Sequence, residues 1–73
     1  MIEWTAVDGS TRIVAEAYDP ATETILVRFP DGVEWAYQAC PPQEWEAFTA
    51  PGQSRGKYIA DVLNHKPHQR WAG

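Results

Sequence analysis

The run of residues in this sequence whose types best suit binding chemistry is Ser54-Arg55-Gly56-Lys57-Tyr58. It opens a predicted helix, and the first backbone N–H groups of a helix lack intrahelical partners and bind anions. Gly56 lets an anion approach the backbone, while Arg55 and Lys57 add positive charge that suits phosphate. Tyr58 is able to stack on a nucleobase. The run predicts a phosphate site; the alternative is that Ser54 merely caps the helix and Gly56 serves the turn.

A second constellation is formed by Asp61, His65 and His68, which follow one another at the spacing i, i+4 and i+7. A metal ion needs ligands that converge on one point, and zinc usually takes three or four. Because Pro67 interrupts the helical pattern between the two histidines, they are not expected to share a face. We interpret these residues as polar groups near a helix C-terminus, where the helix dipole favours cations. We expect no metal and no cofactor.

The sequence offers little that could perform catalysis. Cys40 is the single cysteine, and nothing in the pattern ties a histidine base to it, so we expect a small buried apolar residue. Glu44 and Glu46 lie two positions apart and therefore on different faces of a helix, a poor acid–base pair. No glycine-rich phosphate loop of the Walker type is present. We predict that the chain is not an enzyme.

The charge of the chain is distributed unevenly between its two parts. The 73 residues have a formal net charge of −4. Residues 1–51 hold nine acids and two arginines, a balance of −7, whereas residues 52–73 hold four basic residues and one acid, a balance of +3. Such asymmetry indicates an anion-binding face on an acidic body, and the alternative is a solvated face with no partner.

Length and composition indicate one small domain inside the cell. Seventy-three residues suffice for a single core, and we expect most of the nine aromatic side chains to lie in it. No apolar stretch approaches the ~20 residues of a membrane span, and the start at 1–4 lacks the features of a signal peptide. An unpaired cysteine suits a reducing compartment. We expect a cytoplasmic location, in a bacterium or in an infected host cell, and no membrane partner.

Alternating apolar residues predict three strands, at 12–18, 24–29 and 33–39. Turn signals separate them, first Asp19-Pro20 and then Asp31-Gly32. Because these connections are short, the strands must be antiparallel neighbours. The result is a β-meander.

Two short helices are predicted to follow the strands. The first begins at Pro41-Pro42, and the second begins near Ser54 or Gly56 and ends by Asn64. Residues 2–6 alternate weakly, which allows a fourth strand, and residues 65–73 are predicted to be a loosely held tail. The expected fold is α+β: a three- or four-stranded antiparallel β-meander followed by two short α-helices packed on one face. The domain is 1–73, with its core at 7–64.

The order of these short motifs is similar to that of a known family. The motifs, spread over residues 7–64, are Ser10-Thr11-Arg12-Ile13, Ala17-Tyr18-Asp19, Leu26-Val27-Arg28-Phe29, Trp35-Ala36-Tyr37 and Ser54-Arg55-Gly56-Lys57-Tyr58. They resemble the KTSC domain, named for its occurrence at the C-terminus of some lysyl-tRNA synthetases and found also in small stand-alone bacterial and phage proteins. The resemblance implies a meander with helices and a role in binding, for example of nucleic acid; it does not imply an enzymatic activity. Ala60 and Asn64 depart from the Asn and Arg usual in that family.

Together these observations predict a small non-catalytic binding module. Its expected ligand is nucleic acid or a phosphate-bearing nucleotide, bound through the basic start of the second helix. The alternative is a protein–protein interaction module, such as a phage-encoded factor that docks on a host or defence protein. In that alternative Trp4 or Trp71 would anchor the contact. Salt dependence separates the two, because phosphate binding weakens steeply with ionic strength.

Overall fold

The computed structural model describes residues 2–71, which form one five-stranded antiparallel sheet and two short helices. The elements in chain order are β1 (Thr5–Ala6), β2 (Ala15–Asp19), β3 (Thr24–Arg28), β4 (Glu34–Tyr37), α1 (Pro42–Phe48), α2 (Arg55–Asp61), a 3-10 turn (Leu63–His65) and β5 (His68–Arg70). Neighbouring strands in the sheet follow the chain order, β1 to β5. The predicted α+β meander is confirmed, with five strands instead of three or four. No helix within residues 2–71 is long and apolar enough to cross a membrane.

The tight turns of the meander form where the sequence predicted them. The carboxylate of Asp19 accepts a hydrogen bond from the Ala21 backbone at 3.0 Å, and that of Asp31 accepts one from Val33 at 3.0 Å. Gly32 has a φ of 90°, a left-handed conformation that glycine adopts without strain. These local bonds set the register in which Ile25 pairs with Tyr37 across β3 and β4.

The sheet has two unequal faces. The helices cover one face over a buried core of Ile13, Ile25, Val27, Tyr37, Cys40, Phe48, Ile59 and Leu63. The other face, which we call the outer face, has only a small buried cluster of Ala17, Leu26 and Ala36. Ile2, Trp4 and Trp71 pack over that cluster from the two ends of the chain. Because the predicted site is at the start of α2, it lies on the helix-covered face of the sheet.

The segment predicted as a loose tail instead supplies the fifth strand. β5 pairs with β4 so that Arg70 lies opposite Trp35 and His68 opposite Tyr37. Two further backbone bonds hold its ends, from Gln38 N to Pro67 O at 2.8 Å and from Trp71 N to Glu34 O at 2.9 Å. The sequence gives no strand signal here because an edge strand with exposed side chains needs no apolar alternation. Residues 72 and 73 of the predicted tail lie outside the described residues.

Candidate functional site

Ser54 caps α2, as the alternative interpretation of the sequence allowed. Its hydroxyl accepts a hydrogen bond from Lys57 N at 3.3 Å. The exposed Lys57 ammonium lies 2.8 Å from the Asp61 carboxylate one turn later, and that hydrogen bond raises the pKa of Lys57. Tyr58 is half-buried, with its ring 5.5 Å from that of Phe48, and burial raises the pKa of its hydroxyl. Tyr58 therefore belongs to the edge of the core, and the charge of Lys57 is already balanced.

Arg55 is bound to a buried carboxylate of the sheet. Its Nε and Nη2 donate to the two carboxylate oxygens of Glu16 at 2.9 and 3.0 Å, and the hydrogen bond to Glu16 raises the pKa of Arg55. Glu16 lies on β2 and is only 5% exposed. Its charge needs a partner because a buried, unpaired carboxylate is strongly destabilising. The guanidinium also lies 5.6 Å from the ring centroid of Phe48. Arg55 thus joins α2 to the sheet, and its charge is shared with Glu16.

The absence of a side chain at Gly56 makes room for Arg12, a residue outside the predicted site. A Cβ at Gly56 would lie 3.3 Å from Cβ and 3.4 Å from Cγ of Arg12. The aliphatic part of Arg12 therefore crosses the first turn of α2 where Gly56 has no side chain. Arg12 itself is exposed. A side chain at position 56 would push Arg12 away by a few tenths of an ångström.

A cavity of about 290 Å³ lies between the loop 7–12 and the start of α2 at 53–56. We call it the loop–helix cavity. Ser54, Arg55 and Gly56 line it together with Arg12 and Ser10, whereas Lys57 and Tyr58 do not. The Ser10 hydroxyl accepts hydrogen bonds from the backbone of the same loop, at 3.2 Å from Arg12 N. The structure thus brings three of the five predicted residues to one cavity.

Most of the positive charge of the chain is engaged in ion pairs. Four of its six basic side chains contact a carboxylate, in the pairs Arg28–Glu34 at 2.7 Å, Arg55–Glu16 at 2.9 Å, Lys57–Asp61 at 2.8 Å and Lys66–Glu44 at 2.6 Å. Arg12 and Arg70 form no ion pair within residues 2–71. Arg12 is therefore the cation of the loop–helix cavity that is available to a ligand. No binding role was predicted for Arg12 from the sequence; it was one of the residues that carry the family resemblance.

The other sequence candidates are dispersed. Among residues 2–71 no group of three or more His, Cys, Asp and Glu side chains could hold a metal ion. Asp61 contacts Lys57, while Nδ1 of His68 donates to the Lys66 carbonyl at 2.7 Å. Cys40 is fully buried, and burial raises the pKa of its thiol. A neutral thiol in the core is a poor nucleophile.

Comparison with known proteins gives one family. The sequence model of the KTSC domain family matches residues 9–66. A protein of Tsukamurella paurometabola is 31% identical over 61 residues, which are 84% of this chain and 87% of that protein. The crystal structure of a KTSC domain protein from Yersinia pestis superposes with a TM-score of 0.84 at 20% identity, covering 99% of this chain and all of the other. The resemblance noted in the sequence is confirmed, and so is the fold.

Proposed function

The chain belongs to the KTSC domain family, and we propose that this member is a small non-catalytic module that binds nucleic acid or a phosphate-bearing nucleotide. The observation that supports the proposal is the position of Arg12. It is an exposed guanidinium without an ion pair in residues 2–71, and it lines the loop–helix cavity beside Ser54 and Gly56. A planar guanidinium can hold two phosphate oxygens at once, which makes arginine well suited to this ligand.

The ion pairs on α2 change the roles that the sequence suggested for its residues. Arg55 stays with Glu16, because taking it away would leave a buried carboxylate without a partner. Lys57 is balanced by Asp61 at the surface. The ligand would then meet Arg12 first, with the Ser54 region as the wall of the cavity. With so few available cations on a chain of net charge −4, we expect weak binding whose salt dependence is no steeper than a few phosphate contacts produce.

We also propose that the protein works in the cytoplasm, of a bacterium or of an infected cell. The supporting observation is Cys40, a free thiol that is fully buried in the core. A reducing compartment suits such a thiol, because cysteines stay reduced there and do not form disulfides. The proposed partners do not include a membrane.

One observation favours the alternative, a module that binds another protein, such as a host or defence protein docked by a phage-encoded factor. On the outer face the rings of Trp4 and Trp71 meet edge to face at 5.7 Å, and the Arg28 guanidinium lies 4.5 Å from the Trp4 ring. Tryptophan and arginine are the residues that most often dominate protein interfaces. This patch lies across the sheet from Arg12, so the two functions can be separated by mutation.

The test of the phosphate proposal compares two charge reversals by titration of a fluorescent single-stranded oligonucleotide at low salt. Arg12→Glu and Lys57→Glu change the net charge equally, but only Arg12 lines the loop–helix cavity. We expect wild type and Lys57→Glu to bind with similar affinity and Arg12→Glu to lose binding. If wild type binds neither oligonucleotide nor nucleotide, or if both variants bind equally well, the proposal fails and the protein-binding alternative replaces it.

A further inference from the structure

A second cavity lies on the other side of Arg12. It measures about 200 Å³, and we call it the aromatic recess; its lining residues are Arg12, Phe29, Trp35, Tyr37, Asn64 and His68. The Arg12 guanidinium lies 6.0 Å from the Phe29 ring centroid. Arg12 is the residue that lines both cavities, so a ligand group that contacts Arg12 lies next to the recess.

Three of the four rings that line the recess leave aromatic surface for a ligand, whereas Tyr37 is buried. Trp35 and His68 meet edge to face, with centroids 5.6 Å apart and planes at 61°. Trp35 and Phe29 are half-buried and His68 is exposed. Because Nδ1 of His68 donates to the Lys66 carbonyl, the imidazole is held in place against Trp35. The recess thus presents fixed ring surfaces that a planar group could stack against.

Of the two arginines without ion pairs in residues 2–71, one lines this recess and the other pairs with a strand residue that lines it. Arg12 lines it, and Arg70 lies directly opposite Trp35 in the pairing of β4 with β5. Residues opposite each other in adjacent strands project to the same face, so Arg70 accompanies Trp35 and His68 on the helix-covered side of the sheet. An aromatic recess with one available cation in its lining and a second in the strand pair beside it suits a base that has a phosphate before and after it.

We propose that the aromatic recess binds one unpaired base of a single-stranded nucleic acid, whose flanking phosphates contact Arg12 and Arg70. This inference rests on the proposed function and narrows its ligand. Stacking on aromatic rings beside a cationic groove is sequence-tolerant, because every base has a π-face. A base within a duplex has both faces covered by its neighbours and cannot enter. Asn64, at the edge of the recess, has an amide that donates and accepts hydrogen bonds, so it can contact the edge of the base.

The experiment measures wild-type affinity for three ligands of equal length: a single-stranded oligothymidine, the same phosphodiester chain without bases, and a DNA duplex. We expect the single strand to bind tightest and the chain without bases to bind about ten- to a hundredfold more weakly. The affinity for the single strand is also measured for two matched variants, Trp35→Leu in the recess and Trp71→Leu on the outer face. Only Trp35→Leu should weaken binding of the single strand.

The outcomes separate this inference from the function on which it rests. If wild type binds the chain without bases as tightly as the oligothymidine, phosphate binding stands and the base site is overturned. If wild type binds none of the three ligands, the phosphate-binding function and the base site are both overturned. Equal effects of Trp35→Leu and Trp71→Leu also overturn the base site. Should Trp35→Leu not fold, the comparison of ligands with wild type decides alone.

Discussion

Arg55 on α2 donates two hydrogen bonds to Glu16 on β2, a residue 39 positions earlier, and both side chains are largely removed from water. A helix of seven residues has little stability of its own. The pair with Glu16 supplies a fixed contact between the start of that helix and the sheet. This contact therefore holds the start of α2, with Ser54 and Gly56, at the loop–helix cavity.

The first prediction concerns that pair. Arg55→Ala should lower the free energy of unfolding by about 3 kcal/mol, because it leaves the Glu16 carboxylate buried and unpaired. Lys57→Ala is the control, since it removes an exposed pair and should leave stability close to that of wild type. Urea denaturation of both variants measures the difference. Equal midpoints would contradict a structural role for Arg55.

The second prediction concerns Gly56. Gly56→Ala places a methyl group 3.3 Å from Cβ of Arg12, so the arginine must shift. The better helix propensity of alanine, about 1 kcal/mol, should offset the displaced contact and keep stability close to that of wild type. Oligonucleotide binding should weaken several-fold.

The exposed Ala60 on the same helix provides the control for Gly56→Ala. Ala60→Gly should lower stability by about 1 kcal/mol and leave the affinity unchanged. Gly56→Ala protein with wild-type affinity would show that the position of Arg12 does not matter for the ligand.

The third prediction is a loss of stability at alkaline pH. Burial raises the pKa values of Cys40 and Tyr37, and the hydrogen bond to Glu44 raises that of Lys66. The folded state therefore retains protons that the unfolded chain releases, so stability falls as pH rises above the unfolded values. We expect the decline to begin near pH 9, the ordinary pKa of the thiol.

Urea denaturation of wild type and Cys40→Ala between pH 6 and pH 10.5 tests the assignment. Cys40→Ala should be less stable throughout, because it loses buried volume. Its stability should nevertheless decline less steeply than that of wild type just above pH 9, since the first group to titrate is gone. Parallel curves over that range would show that the thiol does not contribute.

The parts of the fold that depend on neighbouring residues were predictable. Alternation in β3 and β4 and the turns at Asp19 and Asp31 are local signals, and each lies where it was expected. β5 was not predicted, because it is held by backbone bonds to β4 and its exposed side chains follow no apolar pattern. A strand that only needs to pair with the free edge of a sheet through its backbone has no characteristic pattern of residues.

The candidate site was predictable only in part for a similar reason. The residue types in Ser54-Arg55-Gly56 indicated the correct region of the fold, since all three line the loop–helix cavity. Which charges remain available depends on pairs formed in three dimensions, such as Arg55 with Glu16. Arg12 lies more than 40 positions before α2 and in the acidic part of the chain. No spacing rule connects it with Gly56, which it contacts.

The salt dependence of binding tests the central claim most directly, namely that phosphates contact Arg12 and Arg70. For single strands, log K falls with log salt with a slope of about −0.7 for each phosphate neutralised, so two arginines predict about −1.4 in wild type. Arg12→Gln should keep the fold and reduce the slope to about −0.7. A slope near zero in wild type, or an equal slope in Arg12→Gln, would contradict the account.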